Sequence, residues 1–280
     1  MRRDRPSSTA LGVAFLRDAG SAPGAPYGID DPVARSLLPS PLRALCGLVR
    51  APFGVPLARL LSGGFLDHVA LRTAAIDAEL ALRLGAGARQ LVILGAGFDT
   101  RAYRTRALAG TAVFEVDIAA TQAEKRARLG GRGAGVRFVE VDFREHDLGA
   151  RLGAAGHDAG APTAWIWEGV VPYLALAAIE ETLGVLAARS APRSALLLTY
   201  LTPEHVRGLP APLLWPGRKA FAALGEPLLS ELEPAEMRAL LGRAGFDVDS
   251  DTGSAEWARG RLRRGPLVEL TERLAVATRR

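Results

Sequence analysis

The stretch from Leu91 to Arg104, LVILGAGFDTRAYR, decides how this 280-residue chain is interpreted. It begins with four apolar residues in a row, as a buried strand does, continues into a glycine turn, and ends where Asp99 and Thr100 open a helix. A strand, a glycine loop and a helix N-terminus in this order are typical of α/β proteins that bind nucleotides. The stretch therefore predicts a nucleotide-type site, and the residues around it must decide which ligand it holds.

Short apolar runs alternate with helical stretches from residue 88 onward. The runs are QLVILG, AVFEVD, VRFVEVD, TAWIWEG and SALLLTYL, and two further strands are predicted in GFDVDS and RLAVATRR. Strands that alternate with helices form βαβ units around a parallel sheet, and the β-branched and aromatic residues in these runs favour strands. We therefore predict an α/β fold, with a mostly parallel seven-stranded sheet and helices on both faces.

The chain divides by pattern into an N-terminal helical segment and a larger α/β domain. Residues 1–87 show helical apolar spacing broken by proline and glycine, and we expect them to pack on the core as a lid. Residues 88–280 then form the ligand-binding domain. Within it, residues 203–229 hold five prolines and no strand pattern, which predicts a cap inserted after the fifth strand.

Composition narrows the class of partner. The formal net charge is +5 and the pI about 9.9, but no basic run is interleaved with aromatic residues, so we expect no nucleic-acid partner. The single cysteine, Cys46, excludes an internal disulfide, fits a reducing compartment and is expected to be buried. The sequence shows no signal peptide, no apolar run long enough to span a membrane and no metal-ligand spacing. We expect a cytoplasmic protein that acts on a small molecule, with no membrane partner and no metal.

The glycine loop departs from the pattern of a dinucleotide site. The G-x-G-x-x-G/A fingerprint would be filled by Gly95, Gly97 and Thr100, and Thr100 is a poor match for the third small residue. Asp99 adds a negative charge where phosphates would lie. An NAD-dependent oxidoreductase stays an alternative, but the loop favours a ligand without phosphate that offers a positive charge or hydrogen-bond donors.

Acidic residues end the next three strands. Asp117 follows Gly95 by 22 residues, which is about the distance at which an acid binds the ribose hydroxyls of an adenosine ligand. Asp142 ends the third strand, where it can accept from the adenine amine, and Glu168 follows the fourth. Each acid alone is equally well explained as a cap of the next helix, whereas the series favours a ligand. S-adenosylmethionine has no phosphate and carries an ammonium and a sulfonium, so it suits the series better than NAD.

Several segments resemble the leucine carboxyl methyltransferase family. They are QLVILGAGFDTRAYR, FEVDIAATQAEKRARL, VRFVEVDF and WIWEGVVPYLALAAIEETL, with TALGVAFLRDAGS, LRTAAIDAEL and LLGRAGFDV fitting its two ends. More narrowly, they resemble its bacterial branch of S-adenosylmethionine-dependent O-methyltransferases, often tied to polyketides. The resemblance implies a Rossmann-like class I methyltransferase fold. It also implies O-methylation of a carboxylate or hydroxyl on a small molecule, such as a polyketide or another secondary metabolite.

The resemblance implies roles at the methionine end of the cofactor. Arg72 would hold the methionine carboxylate, and Glu168 would lie beside the ammonium group. Asp99 and Arg101 would brace the loop rather than touch the ligand.

Roles at the nucleoside end follow from the same resemblance. Gly95 and Gly97 would let the backbone approach the cofactor, and Asp117 would bind the ribose hydroxyls. Asp142, together with the backbone of Phe143, would bind adenine.

Catalytic residues are harder to assign than cofactor-binding ones. A carboxylate acceptor is already ionised and needs only alignment and exclusion of water, whereas a hydroxyl acceptor benefits from a general base. His205 and Tyr200, near the end of the fifth strand, are our candidates, with an exposed loop histidine and a packed tyrosine as the alternatives. We expect His146 and His157 to be solvated. A protein that binds S-adenosylmethionine and transfers nothing is the third functional alternative.

Overall fold

The computed structural model of the protein describes residues 8–143, 146–203 and 228–280. The helices in these ranges are α1 Ser8–Gly20, α2 Ser40–Val49, α3 Gly54–Leu61, α4 Phe65–Gly85, α5 Arg101–Arg104, α6 Ala119–Leu129, α7 Leu148–Ala154, α8 Leu176–Ala188, α9 Pro234–Arg243 and α10 Ser254–Ala258. The strands are β1 Gln90–Leu94, β2 Ala112–Asp117, β3 Val136–Glu140, β4 Thr163–Trp167, β5 Ala195–Leu201, β6 Phe246–Gly253 and β7 Glu272–Arg279. Most of the cap predicted at 203–229, and with it His205, lies outside the described residues.

The strands form one sheet in the order β3-β2-β1-β4-β5-β7-β6. β1 to β5 run parallel to one another, and β7 lies antiparallel between β5 and β6. This arrangement confirms the predicted α/β fold with its mostly parallel seven-stranded sheet. From β1 the chain builds outward to β2 and β3 on one side, then to β4 and β5 on the other. In such sheets ligands bind at the carboxyl ends of the strands, beside the point where the order reverses.

β1 shows why the first strand is an unbroken apolar run. Val92 and Leu94 belong to one buried cluster, with Trp165 of β4, whereas Leu91 and Ile93 belong to the cluster on the opposite face. Strands buried on both faces lose the alternation of apolar and polar residues. Helices α7, α8 and α9 contribute to the first cluster, and α1, α3, α4 and α10 to the second.

The N-terminal helices pack on the sheet through α4. Leu71 and Ile76 of α4 are fully buried in the cluster that also contains Leu91. Near the start of α4, Asp67 accepts hydrogen bonds from the Tyr27 hydroxyl at 2.5 Å and from Arg59 of α3 at 2.7 Å. Because α1 packs against α4, the segment forms a fixed wall beside the sheet.

Helices α2 and α3 form a bent pair on the outside of this wall. Cys46 of α2 is buried, as predicted, and burial raises the pKa of its thiol to about 12. Within the described ranges, no single helix has the length and apolarity needed to cross a membrane. α2 and α3 reach that length and apolarity only when they are taken together, and the chain bends by 118° between them.

Candidate functional site at the carboxyl edge of the sheet

A cavity of about 410 Å³ opens at the carboxyl ends of the first four strands. The glycine loop after β1 and the ends of β2, β3 and β4 line it, together with residues of α1 and α4. The structure brings all seven predicted cofactor-binding residues to this cavity: Arg72, Gly95, Gly97, Asp117, Asp142, Phe143 and Glu168. Their individual roles remain predictions, which the contacts below make more specific.

Two glycines allow the loop to turn sharply beneath the cavity. Gly95 has a φ of +62° and Gly97 a φ of +45°, both in the left-handed region that favours glycine. A Cβ at Gly95 would stand 2.3 Å from Cγ2 of Val170, and a Cβ at Gly97 would stand 3.1 Å from that of Ala10. A side chain at Gly95 would therefore clash with Val170, and one at Gly97 would require Ala10 to shift slightly.

Asp117 ties the end of β2 to the glycine loop. Its Oδ2 accepts from the backbone N–H of Gly97 at 2.6 Å, and its Oδ1 accepts from that of Ile118 at 2.7 Å. Burial raises the pKa of this carboxyl, and the two N–H groups offset part of the increase. Each carboxylate oxygen has a second lone pair, so a fixed Asp117 suits a ligand that offers two neighbouring hydroxyl donors.

The loop after β3 places Asp142 and Phe143 at the cavity. His146 also lines it, and its Nδ1 accepts from the backbone N–H of Asp142 at 2.8 Å. His146, which was predicted to be solvated, is half-buried, because this hydrogen bond folds the loop back against the cavity. An aromatic ring beside an acid provides the apolar and polar contacts that a purine ring requires.

Three arginines surround Glu168 at the end of β4. Arg101 Nη1 donates to Oε2 at 2.6 Å, and Arg72 Nε and Arg17 Nη2 lie 2.9 Å and 3.8 Å from Oε1. None of the four side chains is more than 8% exposed. We call these four residues the Glu168 cluster. It buries more positive than negative charge, and such charge is stable only when further anions or ligands compensate it.

The charges in the Glu168 cluster fix its ionisation. Burial alone would raise the pKa of Glu168, but Arg101, Arg72 and Arg17 together lower it to about 2. Arg101 also pairs with Asp99 at 2.5 Å and with Asp77 at 2.7 Å. These contacts agree with the prediction that Asp99 and Arg101 brace the loop, and they leave Arg17 and Arg72 as the cations nearest the cavity.

Glu272 of β7 holds the Arg72 side chain in place. Its Nη1 donates to Glu272 Oε2 at 2.6 Å, and the same oxygen lies 2.6 Å from His68 Nε2. Burial would raise the pKa of Glu272, but Arg72 and His68 keep it well below its usual range. Glu272 was not predicted from the sequence, because only the pairing of β7 with β5 brings it to His68 across about two hundred residues of chain.

Several polar atoms of the Glu168 cluster lack a hydrogen bond. Arg17 Nε, Arg72 Nε and Glu168 Oε1 are buried and form none, although Arg72 and Glu168 are close enough to form an ion pair. Buried polar atoms in folded proteins nearly always have a partner. Two guanidinium donors beside a carboxylate acceptor match a ligand group that carries both a carboxylate and an ammonium.

Arg17 is the cavity residue that the sequence analysis missed. It lies in α1, lines the cavity, and donates from Nη1 to the carbonyl of Phe98 in the glycine loop at 3.3 Å. Ala10, Val13 and Arg17 recur at three- and four-residue spacing, and all three line the cavity. A charged residue within an apolar helical stripe was therefore the available sequence pattern.

Tyr200, one of the two candidate catalytic residues, lies away from the cavity. Tyr200 is fully buried in β5, does not line the cavity, and donates its hydroxyl to Asp251 Oδ2 of β6 at 2.7 Å. The alternative of a packed tyrosine therefore describes it better. His157 is buried beside Thr163, and burial lowers its pKa to about 4, so the prediction that it is solvated is wrong. His205 lies outside the described residues.

The cavity has two chemically distinct ends. Asp117 and Asp142 offer acceptors at one end, and the Glu168 cluster offers paired donors and an acceptor at the other. In the part of the chain that the structure describes, no three His, Cys, Asp or Glu side chains are grouped so that they could hold a metal ion. The arrangement suits an elongated ligand with hydroxyl and amine donors at one end and a zwitterion at the other.

Comparisons with known proteins agree with this geometry. The sequence profile of the family described as "Leucine carboxyl methyltransferase" matches residues 10–187. A protein of Mycobacterium tuberculosis (strain ATCC 25177 / H37Ra), named "Putative S-adenosyl-L-methionine-dependent methyltransferase", is 37% identical over 203 residues, which are 70% of this chain and 65% of that protein. A similarly named protein of Mycolicibacterium smegmatis is 39% identical over 203 residues, 69% of this chain and 66% of that protein.

A comparison of folds finds the same architecture in a solved structure. A crystal structure of a "putative methyltransferase" from Thermobifida fusca superposes with a TM-score of 0.61 and 18% identity, covering 99% of this chain and 96% of that one. At this identity the likeness concerns the fold alone, and it confirms the Rossmann-like class I architecture. This chain matches 65% of the length of the Mycobacterium tuberculosis protein.

Proposed function

The chain belongs to the leucine carboxyl methyltransferase family, and we propose that its cavity binds S-adenosylmethionine and supports methyl transfer to an oxygen of a small molecule. When bound, the cofactor supplies a methyl group activated by its sulfonium. The protein's own task is to bind both partners, align them and exclude water. Each of these tasks can be assigned to residues of the cavity.

The Glu168 cluster is the observation that carries the proposal. Arg17 Nε is buried without a hydrogen-bond partner, and Arg72 Nε and Glu168 Oε1 lie 2.9 Å apart as an ion pair that does not form a hydrogen bond. An amino-acid moiety supplies the two complementary charges, with its carboxylate toward the arginines and its ammonium toward Glu168. NAD has no such zwitterion, which is why the cluster favours S-adenosylmethionine.

The nucleoside end of the cofactor would be held by the neighbouring strand ends. Asp117 is positioned by two backbone N–H groups and would accept from the ribose hydroxyls. Asp142 and Phe143 would contact adenine, and Gly95 and Gly97 would let the loop backbone approach the ligand. The cofactor would thus span the cavity from β4 to β3.

A carboxylate acceptor fits the described cavity wall. His146 is the one cavity-lining histidine within the described ranges, and its Nδ1 is already engaged by the Asp142 N–H. An ionised carboxylate needs no proton removed, so positioning and desolvation are sufficient. Val13, Val170 and Leu174 supply an apolar lining that excludes water. A hydroxyl acceptor would need a base from another part of the chain, and His205 remains a candidate for it.

Calorimetric titration tests cofactor binding. We expect the protein to bind S-adenosylmethionine and S-adenosylhomocysteine but not NAD. Asp117→Asn should weaken both by about a hundredfold, since it removes charge from two hydroxyl contacts. Asp247→Asn is the matched control, because Asp247 is an exposed carboxylate paired with Arg280, and it should bind like the wild type.

Transfer is tested separately with a panel of carboxylic acids and phenols, by mass spectrometry of the methylated product. Product from a carboxylic acid alone would support the carboxylate acceptor. Binding of S-adenosylmethionine without any transfer would leave a cofactor-binding protein and contradict the enzymatic part of the proposal. Binding of NAD alone would contradict the assignment of the whole cavity.

A further inference from the structure

The outer side of α2 and α3 exposes an apolar surface that is separate from the cofactor cavity. Among the described residues, eleven large apolar side chains are exposed, and seven of them fall between residues 45 and 65. These seven are Leu45, Leu48, Phe53, Leu57, Leu60, Leu61 and Phe65. Scattered exposed leucines are ordinary, whereas a cluster of this kind marks an interaction surface. We call these seven residues the α2–α3 face.

The two helices are apolar on both of their sides. On the inner side, Cys46, Val49 and Val55 are buried against the rest of the protein. On the outer side, the exposed leucines recur at three- and four-residue spacing, which makes a second apolar stripe. Inner packing already anchors the helices, so the outer stripe is not needed to hold them in place. Its exposure to water is unfavourable, and a second apolar environment would relieve it.

Phe53 stands at the corner where α2 and α3 meet at 118°. Its side chain is 85% exposed, the largest value among the exposed apolar residues. Its φ is +64°, in the left-handed region that a residue other than glycine seldom adopts. The corner thus presents an aromatic ring to the solvent at a cost in backbone conformation.

The charge around the α2–α3 face has one sign. Residues 32–66 contain four arginines and no Asp or Glu. Two of the four, Arg50 and Arg59, pair with acids from outside the segment, whereas Arg35 and Arg43 are exposed. The face is therefore bordered by positive charge without any acid of its own.

A second basic segment precedes the residues that contact the α3–α4 corner. Residues 259–264, RGRLRR, hold four arginines and no acid. The chain then reaches Leu267, which is 54% exposed and donates its backbone N–H to Asp67 Oδ2 at 2.9 Å. Asp67 also binds Arg59 of α3, so the basic segment leads directly to the α2–α3 face.

We propose that the α2–α3 face docks the protein on an anionic lipid bilayer, with its apolar side chains at the acyl boundary and the bordering arginines at the headgroups. Apolar helices with a basic border bind membrane interfaces in this way, and basic residues near an anionic surface strengthen the attachment. The inner sides of both helices are packed on the protein, so the pair would lie on the bilayer rather than cross it. This docking differs from the sequence-based expectation of no membrane partner.

A second copy of the chain fits the face less well. A symmetric dimer would pair the same surface on both subunits, which would set one basic border against the other. Juxtaposed like charges disfavour such a pairing. Charge complementarity therefore favours an anionic surface.

Co-sedimentation with vesicles tests the proposal, using phosphatidylcholine alone and phosphatidylcholine mixed with phosphatidylglycerol. We expect binding to the anionic vesicles and its weakening by salt. The triple variant Leu57→Gln/Leu60→Gln/Leu61→Gln should lower the partition coefficient by roughly tenfold or more, and Arg263→Gln/Arg264→Gln should lower it on anionic vesicles. The matched control is Leu82→Gln/Leu176→Gln, whose leucines are 63% and 48% exposed elsewhere on the surface.

Circular dichroism and cofactor calorimetry, unchanged in all variants, would show that the fold is intact. If the triple variant does not fold, the arginine variant and the salt dependence still decide the question. Absence of vesicle binding by the wild type, or equal losses in the control variant, would overturn the proposal. A concentration-dependent dimer that the leucine variant abolishes would instead assign the face to a second copy.

Discussion

Two buried carboxylates, one in β2 and one directly after β4, have pKa values shifted in opposite directions. Glu168, after β4, lies among three arginines, which lower its pKa to about 2 against the effect of burial. Glu115, in β2, pairs with Lys125 at 2.7 Å, and burial raises its pKa to about 7 because this single cation offsets only part of the desolvation. The number of cations, not the depth of burial, decides which form is stable.

The opposite pKa shifts distinguish a carboxylate that lines the cavity from one that stabilises the fold. Glu168 lines the cavity, and its cluster includes buried guanidinium N–H groups without a hydrogen bond, which a ligand carboxylate can accept from. Glu115 and Lys125 are both 1% exposed and lie outside the cavity, so their pair connects β2 to α6. Variants of each carboxylate test this distinction.

Glu168→Gln should have the largest effect. It leaves Arg17 and Arg72 buried without their shared carboxylate, and removing one partner from a buried ion pair costs about 3–5 kcal/mol. Urea denaturation should show this loss in the free energy of unfolding, and cofactor binding should be lost as well. A loss below about 1 kcal/mol would show that solvent already screens the cluster.

The pH dependence of stability should distinguish the two carboxylates. The pKa of Glu115 rises from 4.5 to about 7 on folding, so its stabilising contribution is complete below pH 4.5 and is lost as the pH rises through 7. Glu168 behaves in the opposite way, because its contribution is present above pH 4.5 and is lost as the pH falls toward 2. Glu115→Gln should therefore remove up to about 3 kcal/mol of pH dependence between these values.

The comparison of wild type and Glu115→Gln is needed because other groups titrate in the same range. Burial lowers the pKa of His157 to about 4, which makes stability fall as the pH decreases below 6.5 and partly masks Glu115. Denaturation curves at several pH values for both proteins isolate the Glu115 contribution. Parallel pH profiles for the two proteins would contradict the raised pKa.

The sequence predicted the parts of the site that are close together along the chain. Strand, glycine loop and helix are neighbours in sequence, so the fold and the seven proposed cofactor-binding positions could be derived from local patterns and family resemblance. Arg17 and Glu272 could not, because they meet Arg72 only after α1, α4 and β7 pack around the sheet. Tyr200 was chosen as a candidate because the sequence does not show how β5, β7 and β6 pair. Only that pairing shows that the Tyr200 hydroxyl donates to Asp251.

Arg17→Gln should have an intermediate effect, confined to the ligand. A hydrogen bond to a charged group is worth about 1.5–3 kcal/mol, so S-adenosylhomocysteine should bind roughly ten- to a hundredfold more weakly. Methylthioadenosine lacks the amino-acid moiety and should bind the wild type and the variant equally in calorimetry. Equal losses for both ligands would mean that Arg17 acts only through the loop carbonyl of Phe98, to which it donates.

Glu180→Gln should have the smallest effect and sets the baseline for the comparison. Glu180 pairs with Arg243 at 2.9 Å, but the two side chains are 48% and 62% exposed. Water screens both charges, and such surface pairs contribute between about 0 and 1 kcal/mol. Urea denaturation should therefore place this variant within about 0.5 kcal/mol of the wild type. A loss as large as that of Glu168→Gln would mean that removing any paired carboxylate destabilises the protein equally, and the burial of the Glu168 cluster would no longer distinguish the site.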